Sequence, residues 1–126
     1  MPTTKRMSPS LEDYLEMIYE LCISEGSARL TDLAVALGVS KPSANQAIAL
    51  LSEQGYIDYQ KYRPILMTDK GKEAAKAIFK NHNLIKDFFI KSLGLNAQIA
   101  EKDACKMEHI LSEETLRAIK EYMKRG

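Results

Sequence analysis

Cys105, Glu108 and His109 of the stretch DACKMEHILSEE stand at i, i+3 and i+4, a spacing that puts a thiol, a carboxylate and an imidazole on one face of a helix. Asp13 and Glu16 form a second i, i+3 pair in SLEDYLEMIYEL, and His82 is the only other histidine of the sequence. Singly, each has an ordinary explanation: a buried cysteine beside a solvated edge, first-turn acids favoured by the helix dipole, a histidine bordering an apolar stripe. Together they offer carboxylates, imidazoles and a thiolate from three helices, the mixture that first-row divalent metals accept. An enzyme would instead use Cys105 with His109 or His82 as nucleophile and base. The pattern supplies neither a glycine-rich loop nor evident oxyanion donors for that chemistry, so no catalytic residues and no enzymatic activity are expected.

The elements that must present these groups are legible from spacing. SLEDYLEMIYELCISEG carries Leu11, Tyr14, Leu15, Ile18, Leu21 and Cys22 at helical intervals, with Ser10 as predicted N-cap and Gly26 as stop. Thr31 is the predicted cap of a short helix, TDLAVALG, and Ser40 that of KPSANQAIALLSEQG, where Pro42 falls in the tolerant first turn. A short helix, a glycine-containing turn and a second helix make a helix-turn-helix. YIDYQ and ILMT, joined at KYRP, read as a two-stranded wing. Thr68 is placed to cap a long helix through GKEAAKAIFKNHNLIKDFFIKSLG, Asn96 one through NAQIAEKDACKMEHIL, and Ser112 with Thr115 a last amphipathic one. The fold class expected is mainly α: a winged helix-turn-helix over residues 1–74, then a helical domain over 75–126. The apolar faces of the second part exceed what so few helices cover alone, which predicts a homodimer.

A chain of 126 residues suits one compact core or two small units. With 18 Lys and Arg against 17 Asp and Glu, the net charge of +1 excludes wholesale coating of nucleic acid and an acidic interaction tail. Any affinity for DNA must come from a local patch. MPTTKRMSPS has no apolar centre to act as a signal peptide and no run approaches the length of a membrane span, so a cytoplasmic protein without a membrane partner is expected. Cys22 and Cys105, far apart in a chain without secretory features, are expected to be reduced.

The second helix of a helix-turn-helix enters the major groove by its N-terminal end, where free N–H groups and the positive dipole end favour phosphate. Here that end is Ser40, Lys41, Pro42, Ser43, Ala44, Asn45 and Gln46. Ser43, Asn45 and Gln46 suit base edges and Lys41 suits a phosphate. Over residues 59–72, Lys61, Arg63, Lys70 and Lys72 outweigh Asp69, giving the wing region the local positive charge a sugar-phosphate backbone attracts. Double-stranded operator DNA is the partner these residues predict.

Through EDYLEMIYEL, LTDLAVALGVSKPSANQAIALL, LMTDKGKEAA, KNHNLIKDFF and DACKMEHILSEE, nearly the whole chain resembles the diphtheria-toxin-repressor and manganese-transport-regulator family of metal-dependent transcriptional repressors. The resemblance implies that Asp13, Glu16, His82, Glu108 and His109 are metal ligands matching those of the manganese regulators. It also makes the C-terminal part a metal-binding and dimerisation domain. Cys105 stands where similar manganese regulators have a glutamate and the iron-responsive branch a cysteine. Asp13 stands where that branch has a methionine, so the site is of mixed type, and Lys86 stands where that branch has an ancillary acid, which argues against an iron-type second site. The resemblance implies Mn(II) or Fe(II) as co-repressor and metal-uptake genes as the usual target, while a thiolate ligand makes Zn(II), Co(II) or Ni(II) possible in vitro. The alternative is a metal-independent winged-helix regulator that senses an organic ligand or its own redox state.

Overall fold

The computed structural model describes residues 9–125; residues 1–8, most of the MPTTKRMSPS stretch, and residue 126 lie outside the described part. Helices α1 (Pro9–Glu25), α2 (Leu30–Leu37) and α3 (Lys41–Glu53) lead to strands β1 (Ile57–Asp58) and β2 (Leu66–Met67). Helices α4 (Asp69–Leu93), α5 (Ala97–Met107) and α6 (Glu113–Arg125) follow. The architecture is mainly α, as expected, and divides into two compact units, Met1–Lys76 and Ala77–Gly126.

In the first unit the apolar stripes of three helices close on one another: Leu15 and Ile18 of α1, Leu33 and Ala34 of α2, and Ala44, Ala47, Ile48 and Leu51 of α3 are buried. Gly38 ends α2 in the left-handed conformation at φ 66°, and the next residue, Val39, donates its N–H back to the Ala34 carbonyl at 3.0 Å. The Ser40 hydroxyl then accepts the Ser43 N–H at 3.2 Å and opens α3. Strands β1 and β2 pair antiparallel with Ile57 opposite Met67 and Asp58 opposite Leu66. An isolated bridge between Ala28 and Ile65 ties the start of α2 to the wing.

Two predicted caps fall elsewhere. Ser10 lies inside α1, and α2 begins one residue before Thr31, with Arg29 at the cap position and no side-chain bond there. The extended backbone at Ala28, held by its bridge to Ile65, delivers the chain into the helix at Arg29 without a hydroxyl cap. At the start of α4, the Thr68 hydroxyl accepts the Gly71 N–H at 3.1 Å and donates to the Gly55 carbonyl at 2.6 Å. Gly71 lies so close to Tyr56 that a Cβ there would overlap the Tyr56 carbonyl oxygen.

In the second unit Ile85, Ala104 and Leu116 form the buried centre, with Leu84, Phe89, Met107 and Leu111 packed around them. Asn96 and Ser112 cap α5 and α6 as predicted, accepting the N–H groups of Ile99 at 2.9 Å and Thr115 at 3.1 Å. Helix α5 stops at Met107, short of the predicted run to Leu111, and Glu108 and His109 fall in the turn that follows. The Glu108 N–H still bonds the Ala104 carbonyl at 2.9 Å, so the i, i+4 relation of the helix persists through it. Among the described residues no helix is long and apolar enough to cross a membrane.

Candidate nucleic-acid interface and metal centre

Polar residues at the start of α3 are outward-facing because Ala44, Ala47, Ile48 and Leu51 take the inner face. Lys41, Pro42, Ser43, Asn45 and Gln46 are all exposed. Ser40 is also exposed, but its hydroxyl is engaged as the helix cap and lies 3.0 Å from the Ser43 hydroxyl. Beside this end of α3 opens a cleft of 460 Å³ lined by Arg29, Leu30, Thr31, Lys41, Asn45, Tyr59, Lys61, Tyr62 and Arg63. Four cations and two phenols around one cleft suit a polyanion whose backbone takes charge-assisted contacts. Arg29, Thr31, Tyr59 and Tyr62 are interface candidates that the sequence reading does not single out. The motif directs attention to the second helix and the strand tips, while the chain entering α2 joins the cleft only through the Ala28–Ile65 bridge.

Tyr62 sits at the wing tip with φ 68° and is 87% exposed, and the Lys61 ammonium lies 5.1 Å from its ring centre. A bulky residue held in the left-handed region costs of order 1–3 kcal/mol, a strain that concentrates at binding elements. Lys70, counted above with the basic wing, has a different role. Its ammonium donates to the Gln54 carbonyl at 2.7 Å and covers the Tyr56 ring at 4.4 Å, so it closes the C-terminal end of α3.

In the second unit, α4 and the turn after α5 bring His82 and His109 to the two oxygens of Glu108. Ala100, Ala104 and Glu108, four residues apart, form the inner row of α5 and its following turn. The row that begins as alanine therefore ends in a carboxylate, and the Glu108 side chain has no exposed surface. One of its oxygens lies 3.1 Å from His82 Nδ1 and the other 3.4 Å from His109 Nε2; both imidazoles are themselves close to buried. An ionised carboxylate taken out of water requires a compensating positive charge or donors. This buried acid with two imidazoles is a donor set that fits a first-row divalent ion.

The other predicted ligands are placed less deeply. Cys105 is exposed on α5, one turn before Glu108, so the single shared face read from the spacing is divided: carboxylate inward, thiol outward. Asp13 is exposed and Glu16 half-buried on α1, where the adjacent Glu12 is the buried acid.

Glu101 and Lys86 also escaped the sequence reading as site residues. Glu101 Oε2 lies 2.5 Å from His82 Nε2, and its other oxygen 3.0 Å from Lys86 Nζ. The hydrogen bond from Lys86 holds the Glu101 carboxyl below the usual carboxylate range, with partial burial opposing and His82 assisting. A signal was available: Lys86 is four residues after His82, and Glu101 four before Cys105.

Known proteins match this chain along most of its length. The model of the iron dependent repressor, N-terminal DNA binding domain, matches residues 6–65. That of the iron dependent repressor, metal binding and dimerisation domain, matches residues 68–125. An HTH-type transcriptional regulator of Methanocaldococcus jannaschii is 40% identical over 121 residues, 94% of this chain and 96% of that protein. The HTH-type transcriptional regulator MntR of Oceanobacillus iheyensis is 38% identical over 112 residues, 89% of this chain and 72% of that protein. Among solved structures, the manganese regulator SloR matches with a TM-score of 0.77 and 26% identity, over 95% of this chain. This chain spans 56% of the solved SloR chain. A winged helix-turn-helix with a basic cleft, a helical unit with a buried acid between imidazoles, and matches to both family models lead to one conclusion: the chain belongs to the iron-dependent repressor family, metal-dependent transcriptional regulators of the diphtheria-toxin-repressor and manganese-transport-regulator type, which bind DNA and are not enzymes.

Proposed function

We propose that this protein is a cytoplasmic, homodimeric repressor that binds double-stranded operator DNA when loaded with a divalent metal, Mn(II) or Fe(II), and that it controls metal-homeostasis genes. Residues 1–74 form the DNA-reading part and 75–126 the metal-binding and dimerising part. Asp13, Glu16, His82, Cys105, Glu108 and His109 are the proposed ligands. The observation that carries the reading is Glu108: a fully buried carboxylate with two imidazole nitrogens at 3.1 and 3.4 Å. Each oxygen of that carboxylate faces a different imidazole, and these are donor types that a first-row divalent ion accepts. The family's description as iron-dependent and that of SloR as a manganese regulator support these two metals.

The bound cation supplies positive charge that cancels the mutual repulsion of the three acids and favours the ionised thiol of Cys105. In this proposal Asp13, Glu16 and Glu108 would repel one another without the cation, and metal binding would remove that repulsion. With ligands proposed on both units, metal occupancy and operator affinity would form one linked equilibrium. On the DNA side, Ser43, Asn45 and Gln46 read base edges. Arg29, Lys41, Lys61 and Arg63 neutralise phosphates, and Ser40 and Pro42 fix the N-terminal end of α3. Leu93, Ile99 and Ile110, exposed in the helical unit, supply apolar surface for the dimer.

The test is to select the operator from a random duplex library, then measure affinity with chelator and with added Mn(II), Fe(II) or Zn(II). A metal-induced gain of about 5–150-fold is expected. Equal affinity throughout would discard the metal switch and leave an organic ligand or oxidation of the exposed Cys105 as the trigger.

A further inference from the structure

His82 presents two ring nitrogens, and the structure occupies them differently. Nδ1 faces the buried Glu108 carboxylate at 3.1 Å, while Nε2 meets Glu101 at 2.5 Å from the half-exposed side of α5. Lys86, one turn along α4 from His82, grips the second oxygen of Glu101 at 3.0 Å. The three side chains form a chain of contacts, ammonium to carboxylate to imidazole.

We propose that Glu101 is the positioning residue of the metal centre: it accepts the Nε2–H of His82, fixing the ring so that the Nδ1 lone pair is the atom offered for ligation beside Glu108. A histidine that ligates through one nitrogen donates its other N–H to an acceptor, and a carboxylate there fixes both tautomer and ring orientation. Lys86 keeps Glu101 in this role. Its ammonium occupies the free oxygen and places a positive charge where a cation would have to approach, so Glu101 orients a ligand and is not one itself. None of the six proposed ligands does this, and the inference rests on the proposed metal-binding function.

The test compares full-length wild type with Glu101→Gln and Lys86→Met. In the Zn(II)-loaded wild type, long-range ¹H–¹⁵N NMR of the His82 ring is expected to show a protonated Nε2 and a metal-bound Nδ1. Glu101→Gln is expected to weaken Zn(II) and Mn(II) binding by about 10–100-fold, and Lys86→Met to weaken it in the same direction by less. Glu101 is 51% exposed, so the substitution does not threaten the core, and a circular-dichroism melt checks this. A protonated Nδ1 in the loaded wild type, direct ligation by Glu101, or unchanged affinity in Glu101→Gln would each overturn the role of Glu101. A wild type that binds neither ion would overturn the metal reading and the proposal with it.

Discussion

In the proposed ligand set, Cys105 is the side chain on which metal choice turns. A thiolate prefers softer late metals, whereas a carboxylate at the same place completes an oxygen-rich set suited to manganese. The thiol is exposed, one turn from the buried Glu108, so a longer glutamate can be accommodated without repacking the core. Cys105→Glu is expected to shift preference from Zn(II) toward Mn(II) by roughly tenfold, about 1.4 kcal/mol of differential affinity. Competitive titration with manganese followed by electron paramagnetic resonance reads this, and unchanged discrimination would remove Cys105 from the ligand set. At this scale the sequence was informative about residue types and poor about depth. Spacing alone put Cys105, Glu108 and His109 on one face. It could not say that Glu108 continues the alanine row of α5 into the interior, since that depends on what packs against the row.

Helix boundaries show the same division between local and distant causes. Ser40, Thr68, Asn96 and Ser112 cap where the sequence placed them, because each cap is a bond between a side chain and an N–H three residues on. Thr31 does not, because the start of α2 is set by the Ala28–Ile65 bridge, a contact between residues far apart in sequence. Gly71 is a third kind of case. Its necessity comes from the carbonyl of Tyr56, against which the first turn of α4 is seated, and the Thr68 hydroxyl pins that turn. Gly71→Ala would place a methyl group into that carbonyl, and forced overpacking costs about 1–3 kcal/mol. The expected result is a fall in the thermal midpoint of about 2–8 °C per kcal/mol. A calorimetric midpoint equal to wild type would show that the α4 start tolerates the shift and that the close approach does not matter.

Across the whole molecule, the near-neutral charge of +1 hides a strongly uneven surface. The cleft beside α3 gathers Arg29, Lys41, Lys61 and Arg63, while in the same unit α1 carries the acids Glu12, Asp13 and Glu16. A molecule built this way does not bind polyanions through its overall field; it binds where the local patch meets phosphate. Each phosphate neutralised by a cation releases counterions, so affinity falls with salt by a slope of about 0.9 per contact. With these four residues contributing from each protomer of the proposed dimer, the logarithm of operator affinity should fall against that of salt with a slope of about −7. Replacing Lys61 by Ala should reduce the steepness by about 2 in the dimer and weaken specific and unrelated duplexes alike, because a phosphate contact carries no sequence information. Asn45→Ala, by contrast, should leave the slope alone and relax discrimination at one base pair by about 1–3 kcal/mol. Fluorescence anisotropy over a series of potassium chloride concentrations separates the two behaviours. If Lys61→Ala left the slope unchanged, the wing tip would lie away from the DNA. The strained Tyr62 beside it would then need another explanation.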